Sequence, residues 1–166
     1  RVMIETGCAA VKIEGGVEMA DTVRFLTERG IPVMGHIGLK PQSVNINGGF
    51  RPHGFDSSEA LKIKEDAESI SRAGAFAIVI EGVEPNLAEE ITREIPIVTI
   101  GIGASAECDG QILVTEDAIG MFSDFTPKFV KRFAEVGEEI NLAVKQYADE
   151  VKTRTFPSSE HYYVRK

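Results

Sequence analysis

Val11-Lys12-Ile13-Glu14-Gly15-Gly16 has the pattern of a buried strand that ends in an open loop. With the preceding Cys8-Ala9-Ala10 it forms a nearly continuous apolar run, which is typical of a parallel strand covered on both faces. Because side chains two residues apart share a face of a strand, Lys12 and Glu14 are expected to point the same way. This pairing predicts either a site for an anion and a cation together, or a structural ion pair at a strand end.

The composition favours one globular domain. The 166 residues are 43% hydrophobic, and 18 basic and 26 acidic residues give the chain a net charge of −8 at pH 7. The charges are dispersed, which disfavours nucleic acid or an anionic membrane as a partner. No apolar run is long enough to span a bilayer. Cys8 and Cys108 lie far apart and outside any Cys-x-x-Cys motif, which fits reduced thiols in a cytoplasm.

Helical and strand patterns alternate along the chain. Strands are predicted at 8–14, 31–36, 75–81, 95–100 and 111–114, and helices at 17–29, 59–73, 86–93 and 129–152. Ser57 or Ser58 is expected to cap the second of these helices, and the last is expected to bend near Gly137. The loop 37–54 is long enough to predict a functional role. Without hairpin signals between the strands, the alternation predicts parallel βαβ units.

Unusual residues fall at the predicted carboxyl ends of the strands, where a (β/α)₈ barrel builds its active site. They are Glu14, His36, Glu81 and Gly101. Since a full barrel has eight strands and roughly 250 residues, we expect an α/β TIM barrel whose first roughly three strands are missing before Arg1. The predicted organisation is a single domain, 1–166. About 1–127 would be the C-terminal part of the barrel, and about 128–166 a C-terminal helix and tail.

A set of motifs in fixed order gives the chain a specific resemblance. They are Val11-Lys12-Ile13-Glu14-Gly15-Gly16, Gly35-His36-Ile37-Gly38-Leu39, Pro41-Gln42-Ser43-Val44-Asn45, Ile80-Glu81, Ile100-Gly101-Ile102-Gly103-Ala104 and Asp109-Gly110-Gln111-Ile112-Leu113-Val114. Through nearly its whole length the sequence resembles the ketopantoate hydroxymethyltransferase family. The resemblance implies a TIM barrel that transfers a hydroxymethyl group from 5,10-methylenetetrahydrofolate to 3-methyl-2-oxobutanoate, giving ketopantoate for pantothenate and coenzyme A synthesis. It also implies Mg²⁺ and a homo-oligomer, often a decamer.

The resemblance assigns roles to four residues. Glu14 corresponds to a magnesium ligand, and Lys12 to the residue that contacts the keto acid. Glu81 corresponds to the catalytic base that forms an enolate, which a chelated Mg²⁺ stabilises as a Lewis acid. His36 would hydrogen-bond the substrate or the base, although a packed core histidine remains the alternative.

Other positions carry weaker expectations. The turn Gly101-Ile102-Gly103 is assigned to close packing against folate or a loop. Asp109 is expected to cap a turn, and a hydrogen bond to a pterin nitrogen is the second interpretation. His53 is expected to face solvent. Lys40 and Ser105 depart from the usual family pattern, in which threonine and glycine are common. The family's two aspartate magnesium ligands belong to the missing strands, so Glu14 alone would hold Mg²⁺ poorly.

Two alternatives compete with this interpretation. One is a related barrel enzyme of the phosphoenolpyruvate mutase and isocitrate lyase type, which would need a catalytic cysteine motif that neither Cys8 nor Cys108 supplies. The other is a catalytically incomplete barrel fragment that serves as an assembly module, with its open strand edges covered by a partner.

Overall fold

The computed structural model describes residues 1–41, 52–122 and 126–163. Five strands form one sheet, in the order β1-β2-β3-β4-β5, and every neighbouring pair is parallel. The strands are β1 Val11–Glu14, β2 Val33–Gly38, β3 Ala77–Glu81, β4 Val98–Ile102 and β5 Gly110–Gln111. The predicted parallel α/β class is therefore confirmed.

Helices precede, connect and follow the strands. They are α1 Val2–Thr6, α2 Ala20–Thr27, α3 Ser57–Arg72, α4 Pro85–Glu94, α5 Thr115–Ala118 and α6 Val136–Thr153. Short 3₁₀ turns cover Val17–Met19 and Ser159–His161. Helix α1 ends at Gly7, which has a left-handed backbone conformation. Sequential strand order is the order of neighbours around a barrel, whereas a doubly wound sheet reverses direction at its switch point. Closure into a barrel stays a prediction.

The core lies between the sheet and the helices that cross it. Residues 77–80 of β3 are all buried, which explains the unbroken apolar run, and Glu81 follows at the edge of this core. Against the sheet pack Ile63, Ala67 and Ile70 of α3 with Leu87, Ala88 and Ile91 of α4. A sheet fixed in this way presents the carboxyl ends of its strands as a rigid platform.

The helix caps correct one prediction. Asp56, and not Ser57 or Ser58, is the N-cap of α3, because its carboxylate accepts hydrogen bonds from the backbone N–H groups of Ser58 and Glu59. The two serines already lie in the first turn of the helix. The loop prediction for 37–54 falls mostly on residues outside the described ranges.

The chain divides into two compact units, Arg1–Ile112 and Leu113–Lys166, and the second is described by itself. Within it the helix predicted over 129–152 begins only at Val136. Backbone bonds from Phe133 to Ala118 and from Gly137 to Gly120 tie the preceding segment to the end of α5. A Cβ on Gly137 would lie 2.4 Å from the Met121 carbonyl oxygen, so glycine is required by this close approach and does not mark a bend. The predicted domain organisation stays a prediction.

Candidate active site

The ends of the first three strands bring three predicted site residues together. His36 Nδ1 lies 3.6 Å from Glu14 Oε1, and His36 Nε2 lies 3.0 Å from Glu81 Oε2. All three side chains are largely withdrawn from solvent, with exposed fractions of 2% for His36, 12% for Glu14 and 13% for Glu81. We call Lys12, Glu14, His36 and Glu81 the strand-end cluster.

Strand register explains the convergence. Glu14 is the register partner of His36, and Glu81 is the register partner of Gly38, two residues further along β2. Residues at alternate positions of a strand share one face, and register partners in a sheet point to the same side. Glu14, His36 and Glu81 therefore share one face of the sheet. The sequence placed His36 at a strand end, but β2 continues to Gly38.

The fourth member, Lys12, assigns the ring proton of His36, because an ammonium can donate a hydrogen bond but cannot accept one. Lys12 Nζ lies 3.4 Å from His36 Nδ1, so Nδ1 is the acceptor and the ring proton belongs on Nε2. Nε2 is also the ring nitrogen that lies near Glu81. Lys12 itself is exposed along its side chain and reaches the buried ring from the open side.

The contact between His36 and Glu81 is close but poorly aligned. Although Nε2 and Oε2 are 3.0 Å apart, their geometry is outside that of a hydrogen bond, and Nε2 has no other hydrogen-bond partner in the described chain. In proteins without bound substrate, catalytic hydrogen bonds are often misaligned in this way and tighten only when the complex forms. The pair can therefore pass a proton or orient a carbonyl with little rearrangement.

The donor set suits a magnesium ion only in part. Mg²⁺ is usually held by one or two carboxylates together with substrate oxygens. Glu14 supplies one carboxylate beside the cluster, whereas the described residues contain no group of three or more His, Cys, Asp or Glu side chains placed to hold a metal. The fit is that of a single protein ligand.

An ion pair lies beside the cluster and involves the atypical Lys40. Lys40 Nζ is 3.0 Å from Oε1 of Glu18, which belongs to the 3₁₀ turn after Glu14. Partial burial acts against ionisation of Glu18, but hydrogen bonds from its own backbone N–H and from Lys40 outweigh it and lower the pKa. Lys40 thus links the end of β2 to the turn after β1.

At β4 and β5 the structure gives the polar residues internal partners. Asp109 Oδ2 accepts hydrogen bonds from the backbone N–H of Thr99 at 2.8 Å and from its hydroxyl at 3.1 Å. A Cβ on Gly101 would lie 3.0 Å from the Gln111 amide and 3.1 Å from Cys108 Sγ. Packing within the chain therefore accounts for both features, and the role of this region toward folate stays a prediction.

His53 is the residue that sequence reasoning missed. It was expected in solvent, yet it is 9% exposed, and its Nδ1 lies 2.7 Å from Glu59 Oε1. Its backbone also bonds to Gly82 and Glu84, directly after β3. A glutamate in the first turn of the next helix was the available signal, but only the fold shows that the loop returns to β3.

Within the described ranges, no helix is both long and apolar enough to cross a membrane. Fold and cluster together define a parallel α/β protein with a charged, largely buried site at the carboxyl ends of its strands.

Comparison with known proteins identifies the family. The family model described as ketopantoate hydroxymethyltransferase matches residues 1–159. The chain is 60% identical over 163 residues to the 3-methyl-2-oxobutanoate hydroxymethyltransferase of Paramagnetospirillum magneticum, and 58% identical to that of Brucella canis. Each alignment covers 98% of this chain, but only 60% and 59% of the relatives. The chain belongs to the ketopantoate hydroxymethyltransferase family and spans about 60% of the length of these curated relatives.

A solved structure of a provisionally assigned phosphonomutase from Burkholderia cenocepacia J2315 is also similar. It shares 15% identity, covers 92% of this chain and 74% of its own, and has a TM-score of 0.32. A score this low supports no argument about fold or function.

Proposed function

We propose that the protein containing this chain transfers a hydroxymethyl group from 5,10-methylenetetrahydrofolate to 3-methyl-2-oxobutanoate, giving ketopantoate. Family membership motivates the proposal, because the printed names of the relatives state this transferase activity. The observation that carries it is the approach of Glu81 to His36 at 3.0 Å within the strand-end cluster.

Glu81 is proposed as the base. Its carboxylate would remove the proton from C3 of the keto acid, and the resulting enolate carbon would form a bond to the one-carbon unit of the folate. Both C–N bonds of that unit would break in the overall transfer, water would supply the hydroxyl oxygen, and tetrahydrofolate would leave. His36, whose Nε2 lies 3.0 Å from Glu81, would orient that carboxylate or the keto oxygen. Lys12, whose ammonium reaches the cluster from the open side, would bind the anionic substrate.

Glu14 is proposed as one ligand of Mg²⁺. When bound, the ion would act as a Lewis acid toward the keto oxygen and favour loss of the C3 proton. Because Mg²⁺ commonly takes substrate oxygens beside one or two carboxylates, Glu14 and a bidentate keto acid are compatible donors. We also propose that the protein closes into a barrel, forms a homo-oligomer (a decamer in the resemblance) and is located in the cytoplasm.

The two alternatives predict different results. An enzyme of the phosphoenolpyruvate mutase and isocitrate lyase type would need a cysteine in its site, whereas Cys108 is buried beside Thr92 and Gly101. An assembly module would bind neither the keto acid nor the metal. Ketopantoate formation that depends on Mg²⁺ would exclude both alternatives.

The test is ketopantoate formation by the full-length protein with excess Mg²⁺ and after removal of metal by EDTA. We expect activity only with metal, and we expect Glu14→Gln to raise the Mg²⁺ concentration for half-maximal activity roughly 10- to 100-fold, since it removes a charged ligand. Glu28→Gln, which changes an exposed carboxylate outside the cluster, is the matched control. Equal Mg²⁺ dependence in wild type and Glu14→Gln would remove Glu14 from the metal site.

A further inference from the structure

Asp66 is a buried acid outside the strand-end cluster. It lies on the core-facing side of α3 with Ile63, Ala67 and Ile70, and it is 6% exposed. A carboxylate in such a place is unfavourable unless it is hydrogen-bonded. Burial raises the pKa of the Asp66 carboxyl, a hydrogen bond from the backbone of Val17 opposes this, and the charge of Glu18 adds to the increase. Its position therefore needs an explanation.

The carboxyl of Asp66 lies directly on the turn that follows β1. Asp66 Oδ1 accepts a hydrogen bond from the Val17 N–H at 2.9 Å. A Cβ on Gly16 would lie 1.9 Å from both Cγ and Oδ1 of Asp66, so any larger residue would push the turn and α3 apart. The missing side chain of Gly16 is what admits this contact.

The same turn is held from its other side by the strand-end cluster. The Gly15 N–H donates to the His36 carbonyl oxygen at 3.0 Å, and Glu14 is the preceding residue. The turn is thus fixed between a backbone oxygen of β2 and a side-chain oxygen of α3. Without Asp66 the turn loses its hydrogen bond to α3 and keeps only the bond of Gly15 to β2, so we expect the turn and the adjoining Glu14 carboxylate to shift.

We propose that Asp66 is a positioning residue that sets the place of the Glu14 carboxylate by holding the Gly15-Gly16-Val17 turn against α3. Asp66 acts through the turn and has no role in the chemistry. The inference rests on the proposed function, because it takes Glu14 to be the magnesium ligand. Partners that orient a metal ligand from behind typically change metal affinity roughly 10- to 100-fold when they are removed.

The experiment is calorimetric titration of MgCl₂ into the full-length protein saturated with 3-methyl-2-oxobutanoate. Asp66→Ala and Asp66→Leu both remove the acceptor, and leucine also fills the space in case the alanine variant does not fold. We expect both to weaken Mg²⁺ binding roughly 10-fold or more. Asp66→Asn keeps an oxygen acceptor for Val17 and is expected to stay within about 2-fold of wild type.

The control is Ile70→Val, which loses packing on the same buried face of α3 but leaves the turn intact. It should lower the unfolding temperature without changing Mg²⁺ affinity. Unchanged affinity in Asp66→Leu, with wild type binding normally, would overturn the positioning role alone. Wild-type protein that binds no Mg²⁺ would overturn the proposed metal function and this inference with it.

Discussion

Acidic residues near the strands are used in opposite ways in two regions of the sheet. At β1 to β3, the carboxylates of Glu14 and Glu81 approach an imidazole side chain. At β4 and β5, Asp109 accepts hydrogen bonds from the backbone N–H and the hydroxyl of Thr99. A carboxylate bound to backbone holds a register, whereas one beside a titratable side chain can exchange a proton. The group that a carboxylate contacts, and not its position in the sheet, therefore decides whether it can act in proton transfer or only in stability.

The largest effect is expected at the proposed base. Glu81→Gln keeps the size of the side chain but removes its ability to take a proton, so kcat for ketopantoate formation should fall roughly 10²- to 10⁴-fold. The unfolding temperature should change little, because the contact of Glu81 with His36 is poorly aligned. Steady-state kinetics and thermal unfolding check both points. A variant that keeps wild-type kcat would place Glu81 with the structural acids.

A smaller effect is expected at Lys12. Lys12→Met keeps the apolar stem but removes the charge, and loss of a charge-assisted bond to the keto acid should raise KM for that substrate about 10- to 100-fold. Lys40→Met is the matched control, since Lys40 pairs with Glu18 beside the cluster. Keto acid saturation curves measure the difference. Equal KM increases in the two variants would show a general electrostatic effect and no specific contact.

A substitution at β4 and β5 should change the stability of the protein and not its kinetic constants. Asp109→Ala removes the acceptor for Thr99 and should lower the free energy of unfolding by about 1 kcal/mol. Its kcat and its KM for folate should match wild type. Urea unfolding beside kinetics at matched folded concentration separates the two. A raised KM for folate with unchanged stability would support the pterin contact instead and break the comparison.

The smallest effect concerns acid stability through Asp56, which lies outside both regions. Hydrogen bonds from the Ser58 hydroxyl, the Ser58 N–H and the Glu59 N–H hold the pKa of Asp56 below its ordinary value. A group with a lowered folded-state pKa stabilises the fold above its unfolded pKa, and this contribution is lost as pH falls through the folded value.

Asp56→Asn keeps a capping oxygen that does not titrate. We therefore expect near-wild-type stability at pH 7 and a shallower loss of stability below about pH 4. Thermal unfolding across that range is the measurement. Parallel pH profiles for the two proteins would show that folding does not lower the pKa of Asp56, because a group with equal pKa values in the folded and unfolded states adds nothing to the pH dependence of stability.

Local pattern located the first four strands to within a few residues, but it placed the fifth at 111–114 where the sheet has Gly110–Gln111, and it did not give the contacts between distant segments. The apolar run before Glu81 marks a buried strand, as predicted. The prediction of a strand covered on both faces before Glu14 is wrong for the described sheet, because β1 lies at its edge and has no fully buried residue. Register then follows from parallel pairing. By contrast, His53 is buried because its backbone bonds to Gly82 and Glu84, and no periodicity in the loop encodes that return.

The same reason accounts for the other differences. Helix α6 begins at Val136 because the preceding segment bonds to the turn after α5, although the apolar pattern extends further back. Asp66 looks like an ordinary polar residue within a helical pattern, and only the close approach of Gly16 shows its contact with the turn after β1. Each of these features depends on residues distant in sequence.

The most direct test of the account is exchange of the C3 proton of 3-methyl-2-oxobutanoate in D₂O, followed by NMR with Mg²⁺ present and the folate donor absent. This isolates proton removal from hydroxymethyl transfer. We expect wild type and Asp109→Ala to exchange the C3 proton, and we expect the exchange rate to be roughly 10²-fold or more lower in Glu81→Gln. Exchange at the wild-type rate in Glu81→Gln would contradict the assignment of the base to the strand-end cluster.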